Sequence, residues 1–236
     1  MNLFVGTSGF SYKEWKGTFY PEKLPAAEML TYYAERLNAV EINNTFYRMP
    51  SVQLLEGWRA KVPEGFSFVL KASRRITHQK RLKEADDPLS YLLETSETLG
   101  AHRGPMLFQL PPYLKKDVER LQAFVALFPE GFRAAFEFRN DTWFDDEVYE
   151  VLRLRGLALV TADMGDDSVA PLVSTAGYGY ARLRREAYGE GELEAWAKRL
   201  ADTGWEDLYV FFKHEDAGAG PRLATRFREI VQGGGA

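Results

Sequence analysis

In this 236-residue chain, short apolar runs end repeatedly in residues that can hold a proton or an anion. Glu41 and Asn43 close the run that begins at Ala39, with Thr45, Tyr47 and Arg48 just beyond. Lys71 ends residues 66–71, Gln109 lies in 105–111, and Glu137 and Arg139 end 134–139. Asp163 ends 157–163, Arg182 and Arg184 end 178–184, and Lys213 ends 208–213. Burying such groups costs kilocalories unless they are paired, so their recurrence at one kind of position points to a site. The chemistry on offer is general base work by Glu41, Glu137 or Asp163. His78 and His214, which follow strand-like runs, would transfer the proton back. Arg139, Arg182, Arg184 and Lys71 would clamp an anion. Phosphate is the leading candidate, because the guanidinium fork matches its oxygens.

The elements that would position these residues follow from periodicity. Val40 and Ile42 alternate with Glu41 and Asn43, the period of a strand with one polar side. Similar short runs occupy 3–7, 66–71, 105–111, 134–139, 157–163, 178–184 and 208–213. Between them, Leu30, Tyr33, Ala34 and Leu37 have helical spacing, as do Val118, Leu121, Val125 and Phe128, and Leu193, Trp196, Ala197 and Leu200. A helix over 52–62 is expected, one with Asp87 as N-cap and Pro88 at its first position, and one capped by Asp145 and ended by Gly156. Leu223, Phe227, Ile230 and Val231 close the chain as a helix. No helix is evident between 163 and 178, so that crossover is short or irregular. Strands alternating with helices in this order predict a single (β/α)8 TIM barrel over residues 1–232, with 233–236 a flexible tail.

In a parallel barrel the C-terminal ends of all strands meet at one mouth. Alternation puts Glu137 and Arg139 on one side, with Phe136 and Phe138 toward the helices, and Arg182 shares a side with Arg184. Charges facing the helix layer would be buried between apolar surfaces, so the polar sides are expected to face inward at the top. Lys and Arg outnumber carboxylates there, with Arg48, Arg74, Arg75, Lys80, Arg81 and Arg185 in the following loops. The competing reading is an interlocked ion-pair network that merely caps the barrel.

Composition narrows the classes. A net charge of −4 argues against a protein that coats nucleic acid through a global basic charge, though not against a local cationic pocket. With no cysteine, disulfides, thiolate catalysis and Cys-based zinc sites are excluded. No apolar stretch is long enough to span a bilayer and no leader pattern opens the chain, so a soluble cytoplasmic protein is expected. The three histidines, His78, His102 and His214, show no HxH or HExxH spacing. No cofactor is demanded. A divalent metal on Glu137, Asp163, His214, Glu215 and Asp216 is weakly signalled. Tyr12, Trp15, Tyr47 and Trp143 fall in loops after strand ends, where rings either stack on a base or sugar or pack against loop neighbours. Ser8, within Gly6-Thr-Ser-Gly9, belongs to a segment similar to a short anion nest.

Several motifs together resemble the domain of unknown function 72 family. They are Gly6-Thr-Ser-Gly-Phe-Ser-Tyr12 with Trp15 and Phe19-Tyr-Pro21, then Val40-Glu-Ile-Asn-Asn-Thr-Phe-Tyr-Arg48 and Lys71-Ala-Ser with Thr77-His78 and Arg81-Leu82. Phe108-Gln-Leu-Pro-Pro112, Glu137-Phe-Arg139 with Trp143, Asp163 and Tyr180-Ala-Arg-Leu183 complete the match. The resemblance implies a TIM barrel and carries no catalytic role. Its barrel is similar to the xylose-isomerase and endonuclease IV group, which implies phosphodiester or sugar chemistry by fold analogy alone. The chain departs from the family at Arg184 and Arg185, where many members have His and Gly. It departs again at Phe212-Lys-His-Glu-Asp216, where many have Phe-Asn-Asn. The histidine-rich zinc set of endonuclease IV is missing.

The expectation is therefore an enzyme that holds a phosphate-bearing ligand at the barrel mouth, with phosphoester hydrolysis or sugar-phosphate chemistry as the reaction class. The partner is a small anion or nucleic acid, and the oligomeric state is open. The alternative is a non-catalytic binder of nucleic acid or a nucleotide, with Trp15, Tyr47 and Trp143 as stacking platforms. A third reading is a barrel kept as an interaction scaffold, its charges fully paired.

Overall fold

The runs rich in Val, Phe, Leu and Ala form strands because each can bury both faces, one in a barrel interior and one under helices. A computed structural model describes residues 1–165, 170–213 and 218–233. The strands are β1 (Asn2–Ser8), β2 (Ala39–Ile42), β3 (Ser67–Leu70), β4 (Met106–Gln109), β5 (Ala134–Glu137), β6 (Ala158–Asp163), β7 (Tyr178–Leu183) and β8 (Asp207–Phe212). All pairings are parallel, in the order β3-β2-β1-β8-β7-β6-β5-β4. The two ends of that order meet in isolated bridges, Phe68 with Arg103 and Lys71 with Leu107. Gly104 N donates to Phe68 O at 2.9 Å and Ala72 N to Leu107 O at 2.8 Å, which closes the ring as a TIM-barrel-like α/β fold.

Strand parity sorts the side chains. Val69, Leu107, Ala135, Val160, Tyr180, Tyr209 and Phe211 form one buried cluster inside the barrel, with Phe4 packed on it. Phe4 stacks on Tyr209 at 4.6 Å, while the alanines of β2, β5 and β6 make room for these rings. The opposite parity packs under the helices α1 (Met29–Ala34), α2 (Asn44–Tyr47), α3 (Val52–Arg59), α4 (Asp86–Ser96), α5 (Val118–Val125), α6 (Asp146–Leu154), α7 (Glu190–Ala201) and α8 (Ala219–Gly233). Phe136 and Phe138 lie in this outer layer with Phe124, Phe128 and Trp143, as expected.

The β1–β2 junction carries an inserted side chain. Tyr33 of α1 accepts from Thr7 N at 2.8 Å and donates to Ala39 O at 2.9 Å, so a phenol replaces a direct ladder bond. A side chain at Gly6 would put its Cβ 1.8 Å from Ala39 O, so only glycine fits beneath the phenol.

Some local expectations shift. Asp145 caps α6 by accepting from Glu147 N at 3.0 Å, and Gly156 beyond it takes φ +60°. α4, however, starts at Asp86 with Ala85 in the cap position and no side-chain cap. Pro88 tolerates this because it stays within the first turn, where backbone N–H groups have no intrahelical partner. The basic stretch after β3 is no open loop: residues Arg75–Gln79 form a π-helical turn, and Arg81, Leu82 and Glu84 follow with positive φ. Between β6 and β7 no helix occurs among the described residues. Thr175 instead accepts from Leu159 N at 2.8 Å and donates to Leu157 O at 2.7 Å, giving the edge of β6 a side-chain partner. Of the expected tail 233–236, Gly233 belongs to α8 and 234–236 lie outside the described residues.

Candidate functional site

Three strands supply a buried charge triad at the C-terminal end of the barrel. Glu41 of β2, Glu137 of β5 and Arg182 of β7 all have inward parity and are at most 1% exposed. Arg182 Nη2 donates to Glu41 Oε1 at 2.6 Å, and Arg182 Nη1 donates to Glu137 Oε2. Glu41 Oε1 also accepts from Ser8 Oγ at 2.7 Å, and Oε2 accepts from Tyr180 OH at 2.6 Å. Glu137 Oε1 lies 2.5 Å from Arg139 Nη2, a charge contact without hydrogen-bond alignment. Burial alone would raise both carboxyl pKa values, but Arg182 outweighs it. Glu41 is lowered with further help from Tyr180 and Ser8, and Glu137 is lowered to about 2, Arg139 adding to the effect. Tyr180 stays protonated, raised well above its usual range by burial and by Glu41. Its signal in the sequence was parity, since Tyr180 lies two residues before Arg182 and so shares its side.

Among the described residues, Lys71, Arg139, Arg182 and Arg184 gather around Glu41 and Glu137. Their effect is visible in the neighbours. Burial, then repulsion from Arg182, lowers Lys71 to about 8 and Arg184 to about 10. His78 is lowered by burial and by Lys71 and Arg139. Buried Nε atoms of Arg139 and Arg182 have no hydrogen-bond acceptor among the described residues. Among the described residues these two donors stay idle, which mutual neutralisation alone does not explain.

Residues 4–235 match the family described as "Protein of unknown function DUF72". The chain belongs to the DUF72 family. It is similar to the UPF0759 protein YunF of Bacillus subtilis, 23% identical over 97% of this chain and 94% of that one. A DUF72 family protein from Thermotoga maritima has a crystal structure 29% identical in sequence, with a TM-score of 0.86 over 98% of this chain and 100% of the other. D-psicose 3-epimerase with D-tagatose, from Clostridium cellulolyticum H10, shares the fold at a TM-score of 0.58 and 14% identity, over 98% of each chain.

On this DUF72 barrel the residues expected at the mouth fall into groups. Ser8, Glu41, Lys71, Glu137, Arg139, Arg182 and Arg184 are brought together as described. Gln109 and Lys213 share the inward parity of Leu107 and Phe211 and are half-buried. Asn43 follows β2 in helical backbone, at φ −78°, and is half-buried. His78 stands on the π-helical turn, its ring 4.9 Å from Phe46.

Others are displaced. Asp163 has the parity of Thr161 and Leu159, which is the helix-facing side. Its Oδ1 accepts from Gly165 N at 3.2 Å and it lies beside Tyr188, so it is not a base in the mouth. Met164 takes the adjoining inward position, its sulfur 3.8 Å from Arg184 Nη1. Trp15 and Trp143 are 0% exposed. Trp15 packs among Tyr12, Phe19 and Tyr20, while Trp143 stacks on Phe138 at 4.8 Å and donates Nε1–H to Leu114 O, so neither offers a face to a ligand. Tyr12 is half-buried and donates to Ser8 O at 2.6 Å. The nest reading of residues 6–9 fails because Thr7 N is taken by Tyr33 and Gly9 N by Glu41 O at 2.8 Å. Tyr47 and Arg48 are exposed on the rim.

His214, with Glu215 and Asp216 of the expected metal set, lies outside the described residues. Among the described residues no three His, Asp or Glu side chains group to hold a metal, and no helix is long and apolar enough to cross a membrane. Phe46 and Thr45 were not among the expected site residues. Thr45 donates to Lys71 O at 2.7 Å, and the Phe46 ring lies 4.3 Å from Lys71 Nζ.

Proposed function

We propose that this barrel binds a small phosphate-bearing anion at its C-terminal mouth and acts on it as an enzyme of phosphoester or sugar-phosphate chemistry. The observation that carries the reading is the gathering of Lys71, Arg139, Arg182 and Arg184 around the two carboxylates, with the buried Nε atoms of Arg139 and Arg182 lacking an acceptor among the described residues. An anion with several oxygens answers both at once. In this reading Glu41 and Glu137 are framework. Glu137, held near 2, is a poor general base at neutral pH, and Glu41 is lowered by the same Arg182, so proton transfer falls to His78 and Lys71. The shared fold of the sugar epimerase is consistent with a sugar-phosphate ligand and adds nothing more specific. A divalent ion is not required, and a cytoplasmic setting fits a cysteine-free chain with such a ligand.

Titration calorimetry with inorganic phosphate tests the site. Saturable binding is expected, weakened tenfold or more by Arg139→Gln or Arg184→Gln while circular dichroism stays unchanged. Absence of binding at several millimolar phosphate, or equal affinity in these variants, would discard it. The second reading, a nucleotide or nucleic-acid binder without turnover, draws on Tyr47, 70% exposed beside the exposed Arg48. Oligonucleotide affinity falling steeply with salt, and no turnover of phosphoesters, would favour it.

A further inference from the structure

Lys71 differs from the other mouth cations in what surrounds its charged end. Its backbone is pinned on the β3–β4 seam: Lys71 N donates to Ile42 O at 3.2 Å, Lys71 O accepts from Thr45, and Ala72 N donates to Leu107 O. Inward parity sends the side chain to the mouth, where it is half-buried. Among the described residues Lys71 has no salt bridge within 4.0 Å, and Nζ rests 4.3 Å from the Phe46 ring centroid. That ring also meets His78 edge to face, so the amine and the imidazole lie against one phenyl group. Among the described residues, the charged groups around the amine are Glu41 from β2, Glu137 from β5 and Arg182 and Arg184 from the β7 side. Burial, then Arg182 and Arg184, outweigh the two carboxylates and lower the amine to about 8, so at neutral pH a usable share is unprotonated.

His78 shares the Phe46 ring with it. Thr77 Oγ1 donates to Ser73 O at 3.4 Å and lies 2.9 Å from His78 Nδ1. In the tautomer in which Nδ1 donates to Thr77 Oγ1, Nε2 is the basic nitrogen.

We propose that Lys71 is a covalent-catalytic amine that forms an imine with the carbonyl carbon of a phosphate-bearing aldehyde or ketone. The inference rests on the anion site above, which would hold the phosphate while the amine attacks. The amine lone pair forms the C–N bond as the C=O π pair moves to oxygen. His78 Nε2 takes the proton lost by nitrogen and returns it to the alkoxide oxygen, and a second proton, drawn from solvent through the same nitrogen, lets the carbinolamine hydroxyl leave as water. The product is a protonated imine, an electron sink for bond cleavage or proton removal at the adjacent carbon.

The test incubates the full chain with dihydroxyacetone phosphate or with dihydroxyacetone, in the presence of cyanoborohydride, followed by intact mass and peptide mapping. The expected result is one reduced adduct, on Lys71, at least tenfold faster with the phosphorylated ketone and suppressed by inorganic phosphate. Lys71→Arg and Lys71→Gln should each lose the adduct. No adduct on Lys71, or adducts spread evenly over surface lysines, overturns the proposal. If phosphate binds calorimetrically while no adduct forms, the imine falls and the anion site stands. If phosphate fails to bind, the anion reading itself is what failed.

Discussion

At the scale of single residues, Arg182 decides the character of the site. Its guanidinium holds two carboxylates that the barrel interior would otherwise leave charged and dry. Arg182→Ala should therefore destabilise the fold by about 3–5 kcal/mol, read from urea midpoints. Replacing the whole triad, as Glu41→Gln with Glu137→Gln and Arg182→Met, should recover much of that loss, because no charge is stranded. The same pairing fixes the acid response. Glu137 is lowered from 4.5 to about 2 and Glu41 shifts the same way, so below their unfolded pKa the unfolded chain binds more protons. Stability from these groups is full above about pH 4.5 and should fall as pH drops toward 2, a slope that the triad replacement should flatten. Much of this constellation was legible from parity, since Glu41, Glu137, Arg139, Arg182 and Arg184 lie on the side that alternation assigns. Asp163 was misplaced by one residue, because the inward position near the end of β6 falls on Met164. The tryptophans misled because position after a strand end does not reveal how deeply a ring is covered.

At the scale of elements, the β1–β2 junction shows how a helix side chain can act as a piece of sheet. The Tyr33 hydroxyl is both acceptor for Thr7 N and donor to Ala39 O. Tyr33→Phe should leave those two buried groups unpaired and cost about 1–3 kcal/mol in chemical denaturation, with little change in the circular dichroism of the folded protein. Ser8, at the end of β1, should also lose some of its aim at Glu41. The order of strands and helices was readable because apolar period and capping residues are local properties. The π-helical turn, the start of α4 and the Thr175 bridge were not, because each is chosen by tertiary partners.

At the scale of the whole molecule, the ring of strands is not laced evenly. β1, β7 and β8 share long registers, whereas β3 and β4 meet only through isolated bridges. Hydrogen exchange should reflect this: Ala72 and Gly104 amides, which donate across that seam, should exchange faster than Arg182 and Val210 within the β7–β8 ladder. Equal protection at both places would show that the joint is as strong as the rest. Lys71 is rooted on this lightest joint. The cask is thus hooped most loosely at the stave that carries its reactive amine, where a guest too large for a rigid rim would find the least resistance to entry.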